Sequence, residues 1–290
     1  MSAPDLRARP SWRSARSRIL SGLTVAAVVA IAVPLVAVVL SLVARGGGVV
    51  LASFPDFFTE EIPKFSRRVG PGMGPAIVGT LLVTAAATAM AVPVGVLGAV
   101  YLHEYGGTGK LARLVRFMAT VMTGVPSIVM GLFVYVVWTI RFGFSAFGGA
   151  LALACLMLPV VIGASEQMLR LVPNHLREAS YALGATKSRT ILTVVLPAAL
   201  PGIVSGCLLA VARAAGETAP LLFAVGAAKT FNWSLFDGAN TALSMQIFSN
   251  AMDVPAAQGR AWGAALTLVL LTFLLTLIAR MFTGRFALKR

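Results

Sequence analysis

An all-α protein built into a membrane is the fold class this sequence predicts, and three observations carry the prediction. Of its 290 residues, 58% are hydrophobic and 12% charged, where soluble domains carry about 25% charged residues. Six apolar runs approach the ~20 residues that a helix needs to cross a bilayer. The charged residues sit mainly in the gaps between those runs, as loop charges of a multi-pass chain do.

The runs are 19–44, 75–102, 117–140, 148–164, 201–227 and 261–282. The first follows a basic N-terminus (residues 1–18) holding Arg7, Arg9, Arg13, Arg16 and Arg18. A cleaved leader is the competing reading, but its apolar core is usually ~7–15 residues. Leu42-Val43-Ala44 is also a poor cleavage site, so an uncleaved helix is expected. The fourth run is the shortest. Residues 75–283 form one domain, with a polar loop at 170–197 and a short tail at 284–290.

The net charge of +14 invites a nucleic-acid reading. No basic stripe on a soluble fold supports it, so no nucleic-acid partner is expected. With the N-terminus inside, sixteen of the 24 Lys and Arg fall on the inner side and seven on the outer. The excess of inner positive charge places both termini and the 170–197 loop in the cytoplasm. Two outer segments remain, at 45–74 and 228–260. The second carries Phe231, Trp233, Phe236 and Phe248, which suit either a headgroup belt or a docking surface.

Within the cytoplasmic loop, Pro173 discourages helix before it, and Asn174 suits an N-cap. Leu176, Ala179 and Leu183 share one helical face, and Gly184 can stop the helix in a left-handed conformation. A short amphipathic helix follows. It can lie in the headgroups, serve only as a connector, or fit a groove on another protein.

Arg213 and Glu217 stand four apart within the fifth run and share a helical face. Counted from Pro201, they lie ~18 and ~24 Å along a helix. Each charge costs ~2.5–3.5 kcal/mol at the centre of a bilayer. Two readings stand: a self-neutralising pair that fixes packing, or a guanidinium offered to an oxyanion in transit with Thr218 adding a hydroxyl.

Other motifs fail. Gly106-Gly107-Thr108-Gly109-Lys110 has Glu104 where a phosphate-binding loop needs its first glycine, and Leu111 where it needs Ser or Thr. No nucleotide-binding motif, catalytic cluster, metal site or cofactor is expected, and the chain does not read as an enzyme. His103-Glu104 lacks a second His. Cys155 and Cys207 lie in apolar runs and read as packing residues. Gly202-x-x-x-Gly206 permits close helix contact.

Two sets of residues carry a resemblance. Glu178-Ala179-Ser180-Tyr181-Ala182-Leu183-Gly184, nine residues, then Val194-Val195-Leu196-Pro197, resembles the EAA loop of ABC-importer permeases; Ser180 and Val194 depart from its pattern. Ala212 to Leu222, Val125 to Tyr135 and Val92 to Tyr105 are similar to segments of the phosphate-specific importer permeases, the PstA type more than the PstC type. The resemblance implies a type I ABC importer permease fold of six transmembrane helices with a cytoplasmic coupling helix. It implies residence in the bacterial inner membrane among lipid. It further implies a second, PstC-like permease, two ATPase subunits that hydrolyse the ATP, and an extracytoplasmic phosphate-binding protein. Glu178, Ala179, Gly184, Leu176 and Leu183 would couple to the ATPase, and Arg213, Glu217 and Thr218 would line the anion path. Molybdate or sulfate as the cargo, and transport without ATP, are the alternatives.

Overall fold

The computed structural model describes residues 12–64, 70 and 72–287. Arg7, Arg9, Arg67, Arg68, Lys289 and Arg290 lie outside them. Among the described residues the chain is helical with no strand. Among the described residues five helices are long and apolar enough to cross a membrane, and a bent pair brings the count to six if it is one span.

In chain order, α1 carries the apolar span Ile19–Ala52 and α2 is Gly74–Gly106. The bent pair is α3 (Lys110–Gly124) and α4 (Ser127–Phe142), and α5 is Ala146–Arg170. The short α6 is Asn174–Ala182, and α7 is Lys187–Ala215. Then come α8 (Ala219–Ala224), α9 (Leu243–Ala251) and α10 (Pro255–Ala287). Four wide turns interrupt the regular pitch, at Leu42–Gly46, Tyr101–Gly106, Tyr135–Thr139 and Ile191–Val195.

The third apolar run is not one straight helix. It breaks at Val125-Pro126, and the two halves meet at 106°. Both residues are extended, with ψ of 126° and 137°. Proline lacks the N–H that would continue the ladder and biases the residue before it away from helix. The fifth run departs in the opposite way. Pro197 and Pro201 do not mark its entry; both lie inside α7, which begins at Lys187. A wide turn just before Pro197 loosens the ladder there. At its far end α7 stops at Ala215, so the run to residue 227 is broken at Gly216–Thr218 before α8.

The fourth run extends to Arg170 and forms the centre of the bundle, packed most extensively against α2 and next against α7. Its partners meet it through small residues. A Cβ on Gly206 would stand 2.6 Å from the Ala164 Cβ, and one on Gly202 would collide with Met168. Gly95 makes the same approach to Val161 from α2. Van der Waals contact, rather than apolar burial, holds helices together where lipid is the alternative, so close approach matters. The core along this seam includes Val83, Ala87, Leu153, Met157, Val161, Ile203 and Ala210.

The outer segments are more structured than their composition suggests. Phe57 is wholly buried against Met73 and Ala264. The stretch after α8 folds back into the bundle, where Asn240 and Thr241 are buried. Leu243 N–H donates to Thr80 Oγ1 at 2.8 Å, tying this stretch to α2. Arg260 is not a loop charge but a buried residue in the first turns of α10.

Candidate functional site

Two charged regions stand out, one beside the helix break and one at the end of the bundle that carries α6. At the break, Gly216 caps α7, its N–H donating to the Arg213 carbonyl at 3.1 Å. Glu217 and Thr218 are not helical, and Thr218 precedes the first turn of α8. Arg213 Nε lies 3.6 Å from Glu217 Oε1, with the two side chains 71% and 20% exposed. Ser244 Oγ donates to the Glu217 carbonyl at 2.8 Å, so α9 fixes the backbone of the break.

The depth of this feature follows from its neighbours. Arg213 and Glu217 border a recess shared with Leu156, Met157 and Val160, which lie near the middle of the 25-residue α5. The recess holds about 10 Å³ of space, room for roughly one water. An oxyanion does not fit inside it. Non-helical backbone at membrane depth is tolerated where protein covers it or where it lines a water-filled cavity. Here Gly216 and Arg213 are exposed, so this chain alone does not cover the break. The helix after the other break packs close by: a Cβ on Gly131 of α4 would stand 2.6 Å from Pro220 Cα of α8.

At the other end, α6 has no buried residue. Leu176, Ala179 and Glu178 are exposed, and Leu183 is 89% exposed. Gly184 has φ +80°, the left-handed conformation expected of it. Asn174 differs from expectation. It is the first helical residue, and Pro173 occupies the cap position. Instead of capping, Asn174 Oδ1 accepts from Arg177 at 3.2 Å.

Arg177 is the residue that composition did not single out. Its guanidinium donates to the Val172 carbonyl at 2.8 Å, the Leu169 carbonyl at 3.2 Å and Glu104 Oε1 at 2.9 Å. Its side chain is 12% exposed and that of Glu104 6%. His103 Nε2 lies 3.4 Å from the same guanidinium. Beside this pair, Glu166 of α5 accepts from Arg116 of α3 at 3.1 Å and from Arg170 at 2.8 Å. Arg116 also donates to the carbonyls of Leu102 and Gly107. The only sequence clue to these clusters was an acidic residue at the end of each of two apolar runs.

The model of the family described as binding-protein-dependent transport system inner membrane component matches residues 91–288. A phosphate transport system permease protein PstA 1 of Mycobacterium tuberculosis (strain ATCC 25618 / H37Rv) is 45% identical over 254 residues, covering 86% of this chain and 81% of that protein. The PstA of Yersinia pestis is 39% identical over 277 residues, covering 94% and 92%. Among solved structures, a chain of the inward-facing MetNI methionine ABC transporter superposes with a TM-score of 0.57. It is 20% identical, with 73% of this chain and 93% of that chain covered. That likeness establishes the type I ABC importer permease fold. The chain therefore belongs to the family of binding-protein-dependent transport system inner membrane components, with the PstA phosphate transport permeases among its relatives.

Proposed function

We propose that this protein is one of two permease subunits of an ATP-driven importer of inorganic phosphate. The observation that carries the reading is the exposed Arg213 guanidinium beside a helix break at mid-depth. A permanently charged fork in that position is costly unless it faces water or a partner, and its geometry suits a tetrahedral oxyanion. The names of the relatives supply phosphate as the cargo.

In this reading the second, PstC-like permease completes the path that the small recess only begins. Glu217 holds Arg213 while no anion is present, and Thr218 adds a hydroxyl donor. The exposed face of α6, with Leu176, Ala179 and Leu183, seats in one of two ATPase subunits; Glu178 and Gly184 set its charge and its stop. Those subunits hydrolyse the ATP, and an extracytoplasmic phosphate-binding protein delivers the anion. Both termini and α6 lie in the cytoplasm, consistent with the excess of basic residues there.

The test is phosphate uptake into vesicles carrying the assembled complex. Uptake should require ATP inside and the binding protein outside, and excess molybdate or sulfate should not compete. Uptake that persists on an ion gradient without ATP sinks the importer reading. Competition by another oxyanion at equal concentration sinks the choice of phosphate.

A further inference from the structure

The wide turn Tyr101–Gly106 at the end of α2 touches both α6 and the first turn of α7. At the entry, Glu104 holds Arg177 at 2.9 Å, with both side chains nearly buried. At the exit, the Tyr105 hydroxyl stands 3.3 Å from Ser188 Oγ, and Lys187 Nζ sits 4.8 Å from the centre of the Tyr105 ring. Between these points Ser180 Oγ and Thr190 Oγ1 meet at 2.8 Å, so α6 and the start of α7 are joined to each other. The turn is itself fixed from behind, because its Leu102 carbonyl accepts from Arg116, which also holds Glu166 of α5. Apart from these links α6 is bare on its outer face, with no buried residue.

From this arrangement we infer that the Tyr101–Gly106 turn is a rigid clasp that delivers displacement of α6 to α2 and α5, with Glu104, Tyr105 and Arg177 as its positioning residues. The inference rests on the permease reading. Two features favour a joint over a passive contact. A guanidinium on α6 that donates to the Leu169 carbonyl of α5, to the Val172 carbonyl just beyond it and to an α2 carboxylate binds three elements at one point, so none of them moves alone. An i→i+5 turn is where a helix departs from its regular ladder. Here that departure presents neighbouring side chains, Glu104 to α6 and Tyr105 to the first turn of α7. Coupling between distant sites travels through rigid elements and hydrogen-bonded networks. This clasp is such a network, and its Glu104–Arg177 contact bypasses the covalent route through α7.

The test compares phosphate transported per ATP hydrolysed in assembled complexes. Glu104→Gln keeps the shape and removes the charge. Transport per ATP should fall about 5-fold or more while ATPase capture and hydrolysis remain. Unchanged transport per ATP overturns the clasp, and so does a parallel fall in capture, hydrolysis and transport, which marks a merely structural pair. Because a buried substitution can also impair folding, the exposed exit supplies a second arm. With Tyr105→Cys and Ser188→Cys joined by a short thiol cross-linker, transport per ATP should stay within about 2-fold of the unlinked protein. Abolished transport means that the contact must open, which overturns rigidity. The wild-type complex separates the two readings: if it shows no ATP-driven uptake, the permease reading fails. A working wild type with an equally effective Glu104→Gln variant sinks the clasp alone.

Discussion

Arg177 meets Glu104 at 2.9 Å with both side chains nearly buried, whereas Arg213 meets Glu217 at 3.6 Å with 71% of its own side chain exposed. The first guanidinium is saturated by acceptors from its own chain. The second has one distant partner and open surface, although its neighbours place it halfway along the central helix. A charge satisfied in this way stabilises geometry. A charge left open at membrane depth requires something that the chain does not provide. Pairing by sequence spacing does not separate the two. Burial and the number of acceptors do.

The largest effect on the chain itself should come from breaking the satisfied pair. Arg177→Ala leaves the buried Glu104 carboxylate with only His103 nearby, at 3.8 Å, and removes a donor from the Val172 and Leu169 carbonyls, a loss of about 3–5 kcal/mol. Melting in detergent should detect it, with Glu104→Gln milder. A melting temperature unchanged by Arg177→Ala would show that water replaces the guanidinium and that the pair is not structural. Arg213→Ala should do the reverse. Melting and assembly should hold, while phosphate uptake falls about 10- to 100-fold, the range for losing a charged hydrogen bond of ~1.5–3 kcal/mol. Normal uptake would reduce the Arg213–Glu217 pair to a packing device.

The sequence made one half of this contrast visible and hid the other. Hydropathy counts found the crossings, because a bilayer demands long apolar runs whatever the fold. The amphipathic α6 and the Gly184 stop were readable because their rules are local. The break at Gly216–Thr218 was masked because Arg213 and Glu217 keep helical spacing, although Gly216 and Pro220 are local helix breakers. The Val125-Pro126 bend was readable in principle from the proline, but an unbroken apolar run outweighed it. Glu104 and Arg177 lie 73 residues apart. Their pairing belongs to tertiary structure, as does the burial of Asn240 and Thr241 in a segment that reads as an outer loop.

Leu183→Ser sharpens the comparison from the exposed side. Leu183 is 89% exposed, so its loss should leave melting unchanged, as surface substitutions typically do within about 0.5 kcal/mol. If the α6 face seats in an ATPase groove, that leucine becomes buried on assembly, and burial of one such side chain contributes ~1.5–3 kcal/mol. Capture of the ATPase should then weaken about 10-fold. Undiminished capture would remove Leu183 from the coupling face.

The smallest effect should come from Arg170→Gln, and it tests whether burial rather than distance ranks these contacts. Arg170 lies 2.8 Å from Glu166, closer than the 3.1 Å of Arg116. Distance alone would make it the stronger partner. Yet its side chain is 60% exposed, and solvent screens such a pair to about 0–1 kcal/mol. Arg116 is less exposed and also satisfies the Leu102 and Gly107 carbonyls. Removing Arg116 should therefore cost more than removing Arg170, and added salt should erase most of the Arg170 contribution while sparing that of Arg116. If Arg170→Gln destabilises as much as Arg116→Ala does, proximity outranks burial at this end of the bundle. The distinction between the satisfied and the open arginine would then have to rest on the acceptor count alone.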